Sequence, residues 1–238
     1  MTVSRRESQV IDEIERRDMT VFSPTDVRRF LDLSPGNAYR ILNNMEEKGL
    51  VKRIERGKYV LREKWEEMDL LEIVSELFTP SYIGFWSALH FHGMTDQVPR
   101  KVFVTTTKRK RSMELQGQEV YFVTVKRSMF FGYERYGRIV VSDREKTIVD
   151  CLRHPEYGGG IRQVAEAIDD SLDESTLVDY AERMGSPTVA SRLGYLLDTE
   201  GMRTSGLERL VGGYTKLDPD MDMSNPVSKW KIYANRGI

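Results

Sequence analysis

Two serine-proline pairs that lie eleven residues apart constrain the N-terminal fold most strongly. Ser23-Pro24 and Ser34-Pro35 each place a favoured N-cap residue directly before proline, which is itself favoured at the first position of a helix. Two helices therefore start close together, and the first of them must be short. The second helix carries apolar residues at helical spacing until Lys48-Gly49 ends the pattern. This arrangement predicts a helix-turn-helix.

The segments on either side extend this unit. An amphipathic pattern over residues 4–17 predicts one more helix ahead of the pair. After it, residues 50–61 hold two β-prone runs around Arg56-Gly57, where glycine can adopt a positive φ. A β-hairpin directly after a helix-turn-helix is a wing. Residues 1–62 are therefore predicted to form a winged helix-turn-helix domain.

From Trp65 onward the pattern changes to a mixture of helices and strands. Helices are predicted over residues 69–78, 81–91, 145–152, 161–168, 175–184 and 187–197. Strands are predicted over residues 102–106, 120–125 and 138–142. Asp143, Asp173 and Ser186 are the predicted N-caps. The expected fold class is α+β, in which the winged helix is followed by a mixed α/β domain over residues 63–238 with a small sheet and several helices.

The composition of the chain limits the classes of protein to which it can belong. The chain has 238 residues, of which 39% are hydrophobic and 31% charged, values typical of a soluble globular protein. Its apolar runs are far shorter than a bilayer requires, and the polar residues 1–12 predict no signal peptide. The single cysteine, Cys151, cannot form an internal disulfide. We therefore expect a cytoplasmic protein without a membrane anchor.

The net charge of -1 hides a strong segregation along the chain. Residues 1–62 carry a net charge of +3 and residues 100–142 carry +7. Residues 63–99 and 143–225 carry -6 and -8. This pattern indicates two surfaces of opposite sign, with chance segregation as the alternative.

The second helix of the helix-turn-helix has a polar face that suits base recognition. At 100° per residue, the positions opposite its apolar stripe are Gly36, Asn37, Arg40, Asn43, Asn44 and Glu47. Asparagine pairs with adenine and arginine with guanine in the major groove. Since a recognition helix enters by its N-terminal end, we expect Asn37, Arg40 and Asn43 to read bases. Asn44 ranks next and Tyr39 is a flanking contact, whereas the alternative is a solvated face.

Two further basic groups are candidate contacts. The hairpin places four cations within seven residues, Lys52, Arg53, Arg56 and Lys58. Arg53, Arg56 and Lys58 are the expected DNA contacts among them, and a solvated hairpin without a ligand is the alternative. The run Lys108, Arg109, Lys110 and Arg111 lies between two predicted strands. It is a candidate contact for nucleic acid or an acidic partner, with a merely solubilising loop as the alternative.

Signatures of enzymes and of metal or cofactor sites are weak. His90 and His92 stand without a cysteine pair or an HExxH motif. The glycine run 158–160 lacks the frame of a phosphate loop and is interpreted as a turn. Cys151 lies among apolar residues, which favours a buried structural thiol. We therefore expect no catalytic activity, no metal and no cofactor.

Several segments together resemble a known family. They are residues 82–94, 102–111, 140–155 with the core DREKTIVD, the glycine run 158–160, and 191–197 with the sequence SRLGYLL. In this order they resemble the AbiEi-type antitoxins of type IV toxin–antitoxin systems, which function in abortive infection. Residues 230–234 resemble a terminal strand of the same family domain.

The resemblance implies a transcriptional repressor. Its winged helix would bind double-stranded operator DNA at inverted repeats and repress its own operon. Its C-terminal domain would counter a nucleotidyltransferase-type toxin, an action that family members perform without a stable complex. We expect a monomer or a dimer. The alternatives are a ligand-responsive winged-helix regulator unrelated to a toxin and a nucleic-acid enzyme, and the enzyme is disfavoured because paired carboxylates with a lysine or metal ligands are lacking.

Overall fold

The computed structural model describes residues 2–222 and 225–234. The chain divides into two compact units, residues 1–79 and residues 80–238. The elements of the first unit are α1 (Arg5–Arg16), α2 (Pro24–Leu31), α3 (Pro35–Glu47), β1 (Val51–Glu55), β2 (Lys58–Leu61), α4 (Arg62–Glu67) and α5 (Leu70–Leu77). The order of α1 to β2 is that of the predicted winged helix.

The first unit is built on a core shared by its first three helices and the hairpin. The buried apolar residues of this core include Val10, Ile14, Val27, Ala38, Leu42, Met45 and Val51. The segment before α2 adds a strand-like edge to the hairpin, because Phe22 and Tyr59 exchange two backbone hydrogen bonds of 2.9 Å. A left-handed Asp32, with φ of 47°, makes the sharp turn from α2 to α3. The helix-turn-helix and its wing thus form one packed body.

The first compact unit extends beyond the predicted segment 1–62. In it, α4 starts directly after the hairpin, and the Lys64 amine donates to the backbone oxygen of Met19 at 3.2 Å. The Lys58 amine donates to the backbone oxygen of Leu77, at the end of α5. These contacts hold α4 and α5 against the winged helix. The first compact unit therefore includes these two helices and ends at Thr79.

The second unit contains two sheets and five α-helices among its described residues. Its strands are β3 (Ser81–Ile83), β4 (Lys101–Thr106), β5 (Met113–Leu115), β6 (Gln118–Thr124), β7 (Tyr133–Tyr136), β8 (Ile139–Ser142), β9 (Thr215–Lys216), β10 (Asn225–Val227) and β11 (Ile232–Ala234). Its helices are α6 (Phe85–Phe91), α7 (Arg144–Arg153), α8 (Ile161–Glu166), α9 (Glu174–Met184) and α10 (Pro187–Thr199). Short 3₁₀ turns cover residues 127–129, 155–157 and 208–210. The predicted α+β class is confirmed.

The larger sheet is mixed, in the order β5-β6-β4-β3-β8-β7. Strands β4 and β6 run parallel over the whole length of β4, from the pair Lys101 and Glu119 to the pair Thr106 and Thr124. The central strand β3 pairs antiparallel with β4 and parallel with β8. The second sheet has the order β10-β11-β9. The expected strand at residues 230–234 is found as β11, two residues shorter at its start.

Several local predictions are confirmed. Asp143, Asp173 and Ser186 each accept a hydrogen bond from the backbone N–H three residues later. The glycine run is a turn, with φ of 84° at Gly159 and 93° at Gly160. Cys151 is fully buried, and burial raises the pKa of its thiol.

Separately from these predictions, none of the helices in the described residues is long and apolar enough to cross a membrane.

The helix predicted over residues 81–91 is wrong in its first part. Ser81, Tyr82 and Ile83 form the central strand β3, and all three are buried because β4 and β8 flank them. A left-handed Phe85, with φ of 54°, then marks the change of direction into α6. A short run that is apolar over most of its length shows no clear period, so strand and helix look alike in the sequence. The short edge strands β5 and β7 were likewise not predicted.

The DREKTIVD core holds a buried polar network. The Lys146 amine is fully buried, bonds the carboxylate of Asp150 and donates to the Tyr82 hydroxyl at 3.2 Å. The Tyr82 hydroxyl in turn donates to Asp150 at 3.1 Å. These bonds join α7 to β3 and satisfy three groups that would otherwise be costly to bury. The motif therefore has a structural explanation.

The SRLGYLL segment is explained by close packing. Gly194, in the middle of α10, lies against the indole of Trp230. A Cβ atom at residue 194 would stand 2.2 Å from the Trp230 ring, which is less than any real contact between carbon atoms. Only glycine therefore lets α10 pack against the segment that leads into β11.

Candidate nucleic-acid interface

The predicted recognition residues lie on the solvent side of α3. The helix buries Ala38, Ile41, Leu42 and Met45 against the core. Its other side exposes Tyr39, Arg40, Asn43 and Asn44, and Asn37 is half-buried. Tyr39 keeps 51% of its surface accessible, an unusual exposure for a large ring. The structure thus brings the five predicted side chains of α3 onto its solvent-exposed surface.

Arg40 and Asn37 form a pair on this surface. The guanidinium of Arg40 donates to the side-chain oxygen of Asn37 at 3.3 Å. The two residues lie one helical turn apart, so the bond aligns them along the same face. Arg40 keeps four of its five N–H groups for other acceptors.

The N-terminus of α3 differs from those of α1 and α2. Ser4 and Ser23 cap their helices through reciprocal bonds with an acidic residue of the first turn. Ser34 makes no side-chain cap bond, and the first turn of α3 carries no acidic residue. Within the described residues, the backbone N–H of Asn37 is therefore left without the acceptor that the equivalent amides of Glu7 and Asp26 have, and the N–H of Gly36 is free as well. A free helix N-terminus attracts anions such as phosphate.

The wing presents two arginines without internal partners. Arg53 and Arg56 are exposed, and within the described part of the chain their side chains make no hydrogen bond or ion pair. Gly57, with φ of 77°, forms the turn beside them. These two residues are the most available cations of the hairpin.

The two hairpin lysines are engaged within the protein. Lys58 bonds the backbone oxygen of Leu77 and forms an ion pair with Glu55 at 2.7 Å. The Lys52 amine stands 4.2 Å from the centre of the Trp65 ring. Lys58 would have to break its bonds to Leu77 and Glu55 before its amine could pair with a DNA phosphate.

An ion pair between Lys48 and Glu7 joins the end of α3 to α1. The Lys48 amine contacts both carboxylate oxygens of Glu7, at 2.7 and 2.9 Å, and only 3% of Glu7 is exposed. Burial tends to raise the pKa of Glu7, but the hydrogen bonds from Lys48 and Ser4 and the charge of Lys48 together lower it below its ordinary value. The charged pair therefore joins the end of α3 to the start of α1.

The basic run 108–111 lies in the second unit, in the loop between β4 and β5. Arg109 and Arg111 are exposed, and within the described residues neither forms a hydrogen bond or an ion pair. The Lys108 backbone N–H donates to the Thr106 hydroxyl at 3.2 Å. The Lys110 amine lies 5.5 Å from the centre of the Phe122 ring. The two arginines are thus the more available half of this loop.

The second unit also contains a cavity of about 670 Å³ that sequence reasoning did not find. Its lining includes the rings of Trp86, Phe103, Tyr121 and Tyr157 and the side chain of Arg100. These residues come from α6, the loop before β4, two strands and a 3₁₀ turn, so no local motif marks them. Among residues 2–222 and 225–234, no group of His, Cys, Asp and Glu side chains is placed to hold a metal ion.

Comparisons with known proteins agree with this architecture. The crystal structure of the RV2827C protein from Mycobacterium tuberculosis is similar to this chain, with a TM-score of 0.64 and 14% sequence identity. The likeness covers 98% of this chain and 92% of the other, and at this identity it shows the fold alone. A search of curated proteins found no match.

A protein-family model also matches part of this chain. Residues 9–62 match a model described as "Transcriptional regulator, AbiEi antitoxin". The match begins in α1 and ends just after β2, so it covers nearly all of the helix-turn-helix and wing described above. The resemblance to AbiEi antitoxins that the sequence indicates is therefore confirmed, and the family match lies in the winged helix.

Proposed function

We propose that the winged helix of this protein binds specific double-stranded DNA through α3 and the β1–β2 hairpin. The observation that carries the proposal is the combination on α3 of an uncapped N-terminus with the hydrogen-bonded pair of half-buried Asn37 and exposed Arg40. A helix that enters the major groove by its N-terminal end needs donors for phosphate at its first turn and base-reading side chains in the following turns.

Each group of residues on this surface then contacts a different part of the DNA. Asn37, Arg40 and Asn43 read base edges, with Asn44 and Tyr39 at the border of the contact. The amides at the start of α3 and the Ser34 hydroxyl bind a phosphate. Arg53 and Arg56 contact the backbone or the minor groove beside the wing, and Lys58 joins them if it gives up its internal bonds.

The family description supports the biological role. We infer that the protein represses its own operon at inverted repeats, which two copies would occupy, and that it acts in the cytoplasm. Its second unit counters a nucleotidyltransferase-type toxin without catalysis and without a stable complex. The exposed Arg109 and Arg111 are the proposed contact for nucleic acid or an acidic partner in that role.

DNA binding is tested with the full-length protein and the DNA upstream of its own gene. Fluorescence anisotropy compares this duplex with a shuffled one, for the wild type and for Arg40→Ala. The variant should lose about 1–3 kcal/mol on the cognate duplex and little on the shuffled one. Arg62→Ala is the matched control, because Arg62 is an exposed arginine of the same unit that pairs with Glu66. Equal affinity of the wild type for both duplexes would contradict sequence-specific binding.

Toxin neutralisation is tested by co-expression with the product of the neighbouring gene. The full-length protein should restore growth, and the double variant Arg109→Glu/Arg111→Glu should restore it less. Lys126→Glu/Arg127→Glu makes the same change of charge at two exposed residues outside the loop. If the loop variant protects as well as this control, the loop has no part in neutralisation. If even the wild type gives no protection from a toxic neighbour, the antitoxin role itself is contradicted.

A further inference from the structure

The cavity of the second unit has walls suited to a flat ring. Phe103, Tyr121 and Tyr157 form a mutual cluster in which the ring centres lie 5.4 to 5.9 Å apart. Trp86 adds a fourth aromatic side chain to the lining. The volume of about 670 Å³ lies within the range of sites for small ligands. Aromatic side chains of this kind stack favourably on the bases of nucleic acids and nucleotides.

The glycine turn supports one of these walls. A Cβ atom at residue 159 would lie 3.3 Å from the Trp86 ring and 3.1 Å from the Gln163 side chain. Gly159 also has the positive φ described above. The turn can therefore pack closely behind Trp86, which gives the glycine run a role in shaping the cavity.

The charged residues of the lining differ in their availability. Lys101 forms an ion pair with Glu119 at 2.9 Å, and the Glu156 carboxylate contacts His154 at 3.1 Å. Arg100 is exposed, and in the part of the chain that the structure describes its side chain has no hydrogen bond or ion pair. It is thus the charged group of the lining that is most available for an anion.

Polar atoms inside the aromatic cluster can recognise the edge of a ring. The hydroxyls of Tyr121 and Tyr157 lie 3.4 Å apart. The hydrogen bond between them, together with burial, raises the pKa of Tyr157 to about 12, so this hydroxyl keeps its proton at neutral pH. The Trp86 indole N–H is buried and makes no hydrogen bond among the described residues. This nitrogen has almost no accessible surface, so the two tyrosine hydroxyls are the polar groups that the cavity offers beside its stacking surfaces.

We propose that this cavity binds a nucleoside monophosphate, with its base stacked against the partly exposed rings of Tyr121 and Tyr157 and its phosphate paired with Arg100. Arg100 stands three residues before Phe103, about 10 Å of extended chain, a separation that a ribose and the arginine side chain can bridge. An arginine that is not already paired can bind phosphate in a bidentate manner. The site lies outside the winged helix and the 108–111 loop, so it is a function separate from those proposed above.

The test is isothermal titration calorimetry of the full-length protein with AMP, GMP, adenosine and inorganic phosphate. AMP or GMP should bind at one site per chain. Adenosine should bind about tenfold more weakly, because it lacks the charge-assisted pair with Arg100. Inorganic phosphate should bind more weakly than either nucleotide, because it cannot stack.

Variants assign the binding to the cavity. Arg100→Gln, at an exposed position, should reduce the affinity for AMP to that for adenosine and leave adenosine unchanged. Tyr157→Leu should weaken both, whereas Tyr157→Phe keeps the ring and should weaken them less. Arg135→Gln is the matched control, since Arg135 is an exposed arginine of the same unit that does not line the cavity. Thermal unfolding of each variant establishes that it is folded.

Three results would overturn the proposal. The first is the absence of heat with both nucleotides at millimolar concentration. The second is an affinity for AMP that Arg100→Gln leaves unchanged. The third is an affinity for inorganic phosphate as high as that for AMP, which would mean that the aromatic walls contribute nothing to binding.

Discussion

Lys48, the residue that ends α3, holds the carboxylate of Glu7 in the first turn of α1 through two contacts of 2.7 and 2.9 Å. The Lys48 amine also donates to the backbone oxygen of Thr2 at 3.1 Å. Glu7 is almost completely buried, and its charge is stabilised by this cation together with the hydrogen bonds from Ser4. The position of α3 relative to α1 is therefore linked to the ionisation of Glu7.

Replacing Glu7 by glutamine should destabilise the winged helix by about 1–3 kcal/mol, since charge-assisted bonds are lost in a buried place. The folded-state pKa of Glu7 lies below its ordinary value of 4.5. Its stabilising contribution is therefore present above pH 4.5 and is lost as the pH falls through the folded-state value. Urea unfolding between pH 3 and pH 7 checks this, with Glu15→Gln, on the exposed side of α1, as control. A variant whose stability falls with acid as steeply as the wild type would disprove the link.

The pair Asn37 and Arg40 should act as a unit in DNA recognition. If the bond of 3.3 Å positions the guanidinium, Asn37→Ala and Arg40→Ala should be non-additive on the cognate duplex. A double-mutant cycle should give a coupling energy of about 0.5–3 kcal/mol. Measured on a shuffled duplex, the coupling should vanish. Additive losses on the cognate site would mean that the two side chains act independently.

The wing should contribute to affinity and not to sequence preference. Arg53→Ala and Arg56→Ala should weaken binding to cognate and shuffled DNA alike, and each should reduce the slope of log K against log salt by about 1. Lys58→Ala should mainly lower the stability of the first unit, because its amine bonds Leu77 and Glu55. Anisotropy titrations at several salt concentrations distinguish the two effects. A slope that is also lowered by about 1 in Lys58→Ala would place that lysine on the DNA instead.

Gly194 should tolerate no side chain. Gly194→Ala forces a methyl group into the Trp230 ring, and overpacking of this kind costs about 1–3 kcal/mol or more. Gly213→Ala is the matched control, because a Cβ there meets no atom within 4 Å. Thermal unfolding should show a lower Tm for the first variant and a near-native one for the second. Equal Tm values would mean that Trp230 can move aside at little cost.

Much of the fold can be predicted from local signals. Ser23-Pro24 and Ser34-Pro35 mark helix starts because capping and the fixed φ of proline act within a few residues. The three predicted N-caps of the second unit were found for the same reason. The strand β3 was missed because Ser81 to Ile83 are buried on all sides, a condition set by strands that are distant in the chain.

The residues of the candidate sites could likewise be predicted where the signal is local, and not where distant parts of the chain meet. The exposure of Arg40 and Asn43 followed from the period of α3, since the apolar stripe fixes the opposite face. The engagement of Lys58 could not be predicted, because Leu77 lies nineteen residues away and approaches only in the folded unit. The cavity likewise unites Trp86, Phe103 and Tyr157 from separate elements. Residues that meet only in the folded chain leave no pattern in the sequence.

The missing cap of α3 has a consequence for how the free protein exchanges its amide hydrogens. The N–H groups of Gly36 and Asn37 have no acceptor in the described residues, so in the absence of DNA they should exchange with solvent quickly. A phosphate seated on that helix end would protect them. Exchange measured with and without operator DNA should therefore slow at these two amides, while the capped start of α2 should change little.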